Sequence, residues 1–471
     1  MIKKKLLLAI IGTMTVLTAC GSTVYESAKV VSSSTEDENA IESGTAEISS
    51  SETEDSVGAF SDEASSDASN SKKTKNSTSK GTKKSKPDKS SSDREESTGS
   101  AAYVLSNGDN IDGGTYEATK EDMSVFEASG DVNATITGSI IDKADGDATS
   151  ADDSSFKGVN AAVRAYGNST ITLKDCTITA EAGNATGVFA YDNGTIYISD
   201  STVNVSGGGA GGIQVAGGGT LYAYNLNVTS SSKAAIRSDR GGGTLVVDGG
   251  TYTSEGSNGC PAIYSTADIT VKNAECTALN SRAVIIEGKN SVSLENCVLS
   301  GNDQSSKEGS VKGNVLLYQS ASGDADDGTS EFTMNGGSIT SNSGAMFYCT
   351  NTSSIINLTD AKLVLSKDNS LLIVSEGRWG GEGSNGGTCT LNADNQELSG
   401  SITVDDISSL SLNLTDSTYK GAINETGYAG EVNVTLDDNS KWILTADSYI
   451  TSFIGNEANI EFNGYKLYIN D

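Results

Sequence analysis

The sequence predicts an all-β solenoid, a parallel β-helix with about 25 residues and three short strands per coil, preceded by a disordered stalk. Three observations predict it. A nine-residue pattern recurs along segment 101–471, Asp or Asn holds one column of that pattern, and apolar residues alternate at period two within each copy.

The chain opens with Lys3, Lys4 and Lys5, an apolar run from Leu6 to Val16, and then Leu17-Thr18-Ala19-Cys20. That run is too short to span a bilayer and reads as a signal peptide over 1–19. The Leu-Thr-Ala-Cys stretch resembles the lipobox of bacterial lipoproteins. The resemblance implies lipidation of Cys20, cleavage before it, and a membrane partner held through a lipid anchor; two acyl chains give lasting attachment where one does not. The expected location is extracytoplasmic, at the cell surface.

Residues 20–100 are mostly Ser, Thr, Glu, Asp, Lys, Asn and Ala, with no apolar period. Such a segment buries too little apolar surface to offset its ordering entropy and reads as a disordered stalk. Its charge is segregated, acidic from Glu26 to Asp67 and basic from Lys72 to Lys89. The basic block suits anionic wall polymer or headgroups, or simply keeps a spacer extended.

The whole chain carries 32 basic and 62 acidic side chains, a formal net charge of −30, and no histidine. The negative balance argues against nucleic acid as a partner. The missing histidine removes the commonest general base and metal ligand, and the cysteines lack paired C-x-x-C spacing, which excludes ordinary zinc sites.

The repeat aligns Thr170–Ile178 with Thr195–Val203 and Thr220–Val228, and returns at Thr244, Asp268, Ser291, Glu331, Ser354 and Leu410. Each copy is two short strands around a turn whose apex is Asp175, Asp200, Asn225, Asp248, Asn273, Asn296, Asn335, Asp360 or Asp416. Asp and Asn tolerate left-handed dihedrals and bond local backbone, so periodic turns explain the column better than a catalytic or calcium ladder does. A third strand precedes each pair, as in Val163–Tyr166 and Val188–Tyr191. Three strands per period with no crossover helix stack coil on coil, about 4.8 Å apart. One inward ladder is Val163, Val188, Ile213, Ile236, Ile263 and Val284; another is Leu173, Ile198, Ala223, Val246, Val271 and Leu294. Cys176, Cys276, Cys297 and Cys389 fall at inward or small-residue positions and read as buried free thiols; disulfides, possible outside the cell, fit their irregular spacing less well.

On these repeats the chain resembles the right-handed parallel β-helix repeat proteins of the pectate-lyase-like superfamily, which includes bacterial adhesins. The resemblance implies right-handedness, a β-helix over 101–435, and closing coils over 436–471 that cap the open end.

β-Helix lyases and hydrolases work in an outward groove with clustered Asp and Arg or Lys. Here the Gly-His-Gly pattern is missing, while Arg164, Arg237, Asp239, Arg240 and Arg282 are candidate positive and negative spots. The outward row Tyr166, Phe189, Tyr191, Tyr264, Ile285, Leu316, Tyr318 and Phe347, with Arg164, Gln214 and Arg237 beside it, reads as an exposed aromatic stripe for a polysaccharide or a host surface protein. Cross-strand stacking or a covering loop is the alternative. The loop with Asp142, Asp145, Asp147, Asp152 and Asp153 could chelate calcium, but lacks the closing glutamate of an EF-hand and reads better as solvated. No catalytic residue and no other cofactor is assigned. The expected function is adhesin-like binding without catalysis, the alternatives being a polysaccharide lyase or glycoside hydrolase, or a structural envelope protein.

Overall fold

The computed structural model describes residues 99–257, 259–305 and 311–470. The expected signal peptide, Cys20 and nearly all of the expected stalk lie outside them. The first strand, Ser100–Val104, begins at the expected end of the stalk.

One coil comprises Val163–Tyr166, Thr170–Lys174 and Thr177–Ala180. Its strands pair in parallel with Val188–Tyr191, Thr195–Ser199 and Thr202–Val205 of the next coil. This is a parallel β-helix. The first strands of successive coils form a 12-stranded sheet, and the second and third strands together form a 22-stranded sheet. The latter is continuous because Gly219–Ser230 and Gly243–Ser257 run through the turn unbroken.

The strands follow from β-branched and aliphatic residues at every second position, which bury one face of a pleated surface. In Thr170–Lys174, Ile171 and Leu173 are buried while Thr170 and Thr172 stay partly open. The turn column is left-handed at Asp175, Asp200, Asn225, Asn273, Asn296, Asp360 and Asp416. At Asp248 and Asn335 the following Gly249 and Gly336 take the positive φ instead.

One ladder needs correction. Thr244 pairs with Thr220, so Val246 faces outward beside Tyr222, and Val247 stacks on Ala223 in the core. A slip of one residue moves a side chain to the other face. The closing segment continues the helix: Lys441–Ile443 pairs with Thr418–Lys420 and Ile460–Glu461, and Ser448–Ile450 with Leu467–Ile469. Trp442 is fully buried there, stacked on Tyr419, and donates from Nε1 to the Gly421 carbonyl at 3.1 Å. Cys176, Cys260, Cys276, Cys297, Cys349 and Cys389 are buried and unbridged.

Candidate functional site

Strand register places one outward row on the first sheet: Glu127, Arg164, Phe189, Gln214, Arg237, Tyr264, Ile285, Leu316 and Tyr348. Its neighbour two residues on carries Tyr166, Tyr191, Asp239, Glu287 and Tyr318. The expected exposed stripe is therefore assembled, but it is covered. Phe189 is fully buried, Tyr318 and Tyr348 are buried, and Tyr166, Tyr191 and Tyr264 are half-buried. Phe347 is not in the row at all: it pairs with Val315 on the inward face and meets Phe332 edge-on in the core, while Tyr348 takes the outward place.

Four insertions do the covering. The first holds an unexpected helix, Ala151–Lys157, capped by the Ser150 side chain and ended by Gly158 at φ 71°. Gly158 sits on Phe189 so closely that a Cβ there would lie 2.5 Å from the ring, so both backbone and packing demand glycine. From this helix the Ser155 carbonyl accepts from Gln214 at 2.8 Å, and the Lys157 carbonyl from Arg164 at 2.9 Å. The second, after Gly301, brings Asp303 to Arg282 at 3.0 Å and lays Val311 on the Ile285–Leu316–Tyr348 cluster. The third spans 319–328: Ser320 donates to Glu287, and Asp324 holds Arg240 in a forked contact. The fourth, 375–387, lays Trp379 near Tyr318 and accepts the Tyr348 hydroxyl at the Glu376 carbonyl.

Beneath these insertions the charges are paired. Arg164 meets Glu127 at 3.0 Å, and Arg237 meets Asp239 at 2.7 Å and lies over the Tyr264 ring. Glu287 accepts from the hydroxyls of Tyr264 at 2.6 Å and Tyr318 at 2.8 Å. Burial pushes both phenols well above their ordinary range. The lyase-like candidates Arg237 and Asp239 thus satisfy each other under a lid. Beside them, Lys233 donates to the Ser155 hydroxyl at 2.6 Å, and burial, with Arg237 nearby, pulls it down to about 8.

The calcium candidates are not gathered around an empty centre. Asp142 accepts from Thr179, Asp147 from the Gly183 amide at 2.6 Å, and Asp145 from the Gly146 amide at 2.7 Å. The buried Lys143 ammonium supplies a cation there, donating to the carbonyls of Lys120 at 2.7 Å and Asp145 at 2.6 Å. Burial pulls it down to about 8 against the pull of Asp145, Asp147 and Asp122. Asp152 and Asp153 form the first turn of the helix. Among the described residues, no group of three or more His, Cys, Asp or Glu is placed to hold a metal ion.

An exposed aromatic face lies elsewhere. On the second strands, one outward column reads Thr135, Thr172, Tyr197, Tyr222, Val246, Thr270, Ser293, Thr333, Asn357, Asn392, Asn413 and Thr435. It is short and polar everywhere except at three consecutive coils. There Tyr197 and Tyr222 stack at 5.0 Å with planes 8° apart, and Tyr224 stands beside them. Tyr197, Tyr222 and Tyr224 are 46, 39 and 57% exposed. Together with Thr172, Val246, Ser199 and Asp248 they line a shallow groove. Thr195, Thr220 and Thr244 run along one side of this patch. Sequence alone could have flagged the interruption of a Thr/Ser/Asn column by Tyr197 and Tyr222.

No family model, curated protein or solved structure matches the chain. Among the described residues no helix is long and apolar enough to cross a membrane.

Proposed function

We propose that this is a lipid-anchored surface protein, related in architecture to the pectate-lyase-like β-helices, that binds neutral glycan on the Tyr197–Tyr222–Tyr224 platform without catalysis. The observation that carries it is the aromatic interruption of an otherwise short polar column. Tyr197 and Tyr222 turn one face each onto the other, so the C–H side of a sugar meets their edges and outer faces, and such amphipathic rings recur at recognition surfaces. The hydroxyls of Thr195, Thr220 and Thr244 on one side, and Ser199 and Asp248 on the other, supply polar partners for sugar hydroxyls. The net charge of −30 opposes acidic polymers. Arg237 and Asp239, the residues that fold analogy would put to catalysis, are spent on each other beneath the insertions. The leader-like residues before Cys20 support the anchor.

The test is the full chain against a panel of neutral and acidic polysaccharides and host matrix proteins, with and without calcium. Neutral glycan is expected to bind with no product released, and Tyr197→Ala with Tyr222→Ala to weaken binding by at least about tenfold, roughly 1.4 kcal/mol. Product release, binding indifferent to both substitutions, or binding of matrix protein alone overturns the reading.

A further inference from the structure

Six cysteines lie within the described residues, and their surroundings differ. Cys176 donates to the carbonyls of Lys174 at 3.3 Å and Ile136 at 3.6 Å, and Cys297 to those of Val271 at 3.2 Å and Glu295 at 3.4 Å. Cys260 donates to the Ser232 carbonyl at 2.7 Å. Each of these thiols is engaged with backbone. Cys349 and Cys389 are engaged with one another, Sγ to Sγ at 3.6 Å. Cys349 projects inward from the first-sheet strand Ala345–Thr350; Cys389 projects inward from the second-sheet strand Thr388–Asp394, one coil on. Both are essentially without solvent exposure.

We propose that Cys349 and Cys389 form a disulfide that staples the two sheets across the core. A disulfide-class oxidant suffices. One thiolate attacks the oxidant's sulfur and releases a thiol, and the second thiolate displaces the oxidant's remaining half. Two protein thiols and one external disulfide become one protein disulfide and two external thiols. Because the pair is sealed in the finished core, the exchange belongs to folding, before the coil between 350 and 388 closes. The bond fixes a long loop that spans the fourth covering insertion, and such closure constrains the unfolded chain. In the cell the staple rests on the extracytoplasmic location proposed above, since reducing compartments keep thiols open. In the tube it depends only on the geometry.

The experiment refolds the full chain, carrying Cys20→Ser to remove the seventh thiol, with oxidised or reduced glutathione, then alkylates and maps peptides by mass spectrometry. Expected is a Cys349–Cys389 linked peptide as the dominant bridge after oxidative refolding, with Cys176, Cys260, Cys276 and Cys297 alkylated once unfolded. Already folded, reduced protein should resist the same oxidant. The thermal midpoint of the oxidised protein should rise by a few degrees, and Cys349→Ser should abolish that rise while folding in both buffers. Alkylation of Cys349 and Cys389 after oxidative refolding, or scrambled bridges, overturns the staple whatever the fate of the glycan reading. A linked peptide from oxidative refolding but open thiols in protein taken from the cell would contradict the location instead.

Discussion

The first and second sheets share the same coils and the same core, yet they meet solvent in opposite ways. The first carries Arg164, Arg237, Glu287, Phe189 and Tyr318 outward and hides them under four insertions; the second carries Thr, Ser and Asn outward and leaves them bare. A sheet face rich in aromatic and charged groups needs a cover that gives its charges ionic or hydrogen-bonding partners, because an unpaired buried charge is costly. A face of short polar side chains needs none. Against that background the aromatic patch worth suspecting is the uncovered one at Tyr197, Tyr222 and Tyr224, and the richer aromatic row of the first sheet is architecture.

The sharpest way to break this contrast is to delete one carboxylate from each sheet. Asp239→Ala strands Arg237 beneath the cover and should cost about 3–5 kcal/mol in chemical denaturation. Asp248→Ala, on the open sheet, should cost less than about 0.5 kcal/mol. Equal losses would mean that the first sheet is no more closed than the second. Gly158→Ala meets both the positive φ and the Phe189 ring, and a loss of about 2 kcal/mol is expected, with earlier proteolysis at the helix Ala151–Lys157. Asp200→Ala puts alanine at φ 49° in a bare turn and should cost about 1 kcal/mol with no change in proteolysis pattern.

The smallest effect is a pH slope. Lys143 and Lys233 are held at about 8 when folded, against about 10.4 in an unfolded chain. Below about 8 both states are protonated and the burial cost is fully present. From there to about 10 each lysine binds more proton in the unfolded chain and contributes stability that rises with pH. The buried thiols of Cys176, Cys260, Cys276, Cys297 and Cys389, pushed up by burial, act the other way, because unfolded thiols, at about 8.5, lose protons that these keep. Above that range the buried Tyr264, Tyr318 and Tyr419 add a further loss, because they hold protons that unfolded tyrosines lose. Between about pH 7 and 9, Lys143→Met should lose stability more steeply with rising pH than the parent, by about 1 kcal/mol in chemical denaturation; equal slopes would contradict the burial of Lys143.

The coil was legible in the sequence because every period repeats the same demands: alternating apolar residues for the interior and Asp, Asn or Gly where the backbone turns left-handed. The covers were not, because each occurs once. Ser150 with Asp153, then Lys157-Gly158, is a helix-capping pattern, but in a chain dense in Ser, Asp and Gly it does not stand out. Without the covers, an outward Tyr318 looks exposed. Phe347 was placed outward because the insertions between coils hide its register, and a one-residue shift reverses its face. Lys143 stands in sequence among Asp142, Asp145 and Asp147, and only the fold brings its ammonium to the carbonyls of Lys120 and Asp145.

The second sheet offers its tyrosines and the first does not. Tyrosine-directed chemical labelling of the folded chain, mapped by peptide mass spectrometry with and without bound neutral glycan, tests it most directly. Expected is rapid labelling of Tyr197, Tyr222 and Tyr224, suppressed by glycan, with Tyr318 and Tyr348 protected throughout. Rapid labelling of Tyr318 and Tyr348, or glycan protection confined to the first sheet, would contradict it.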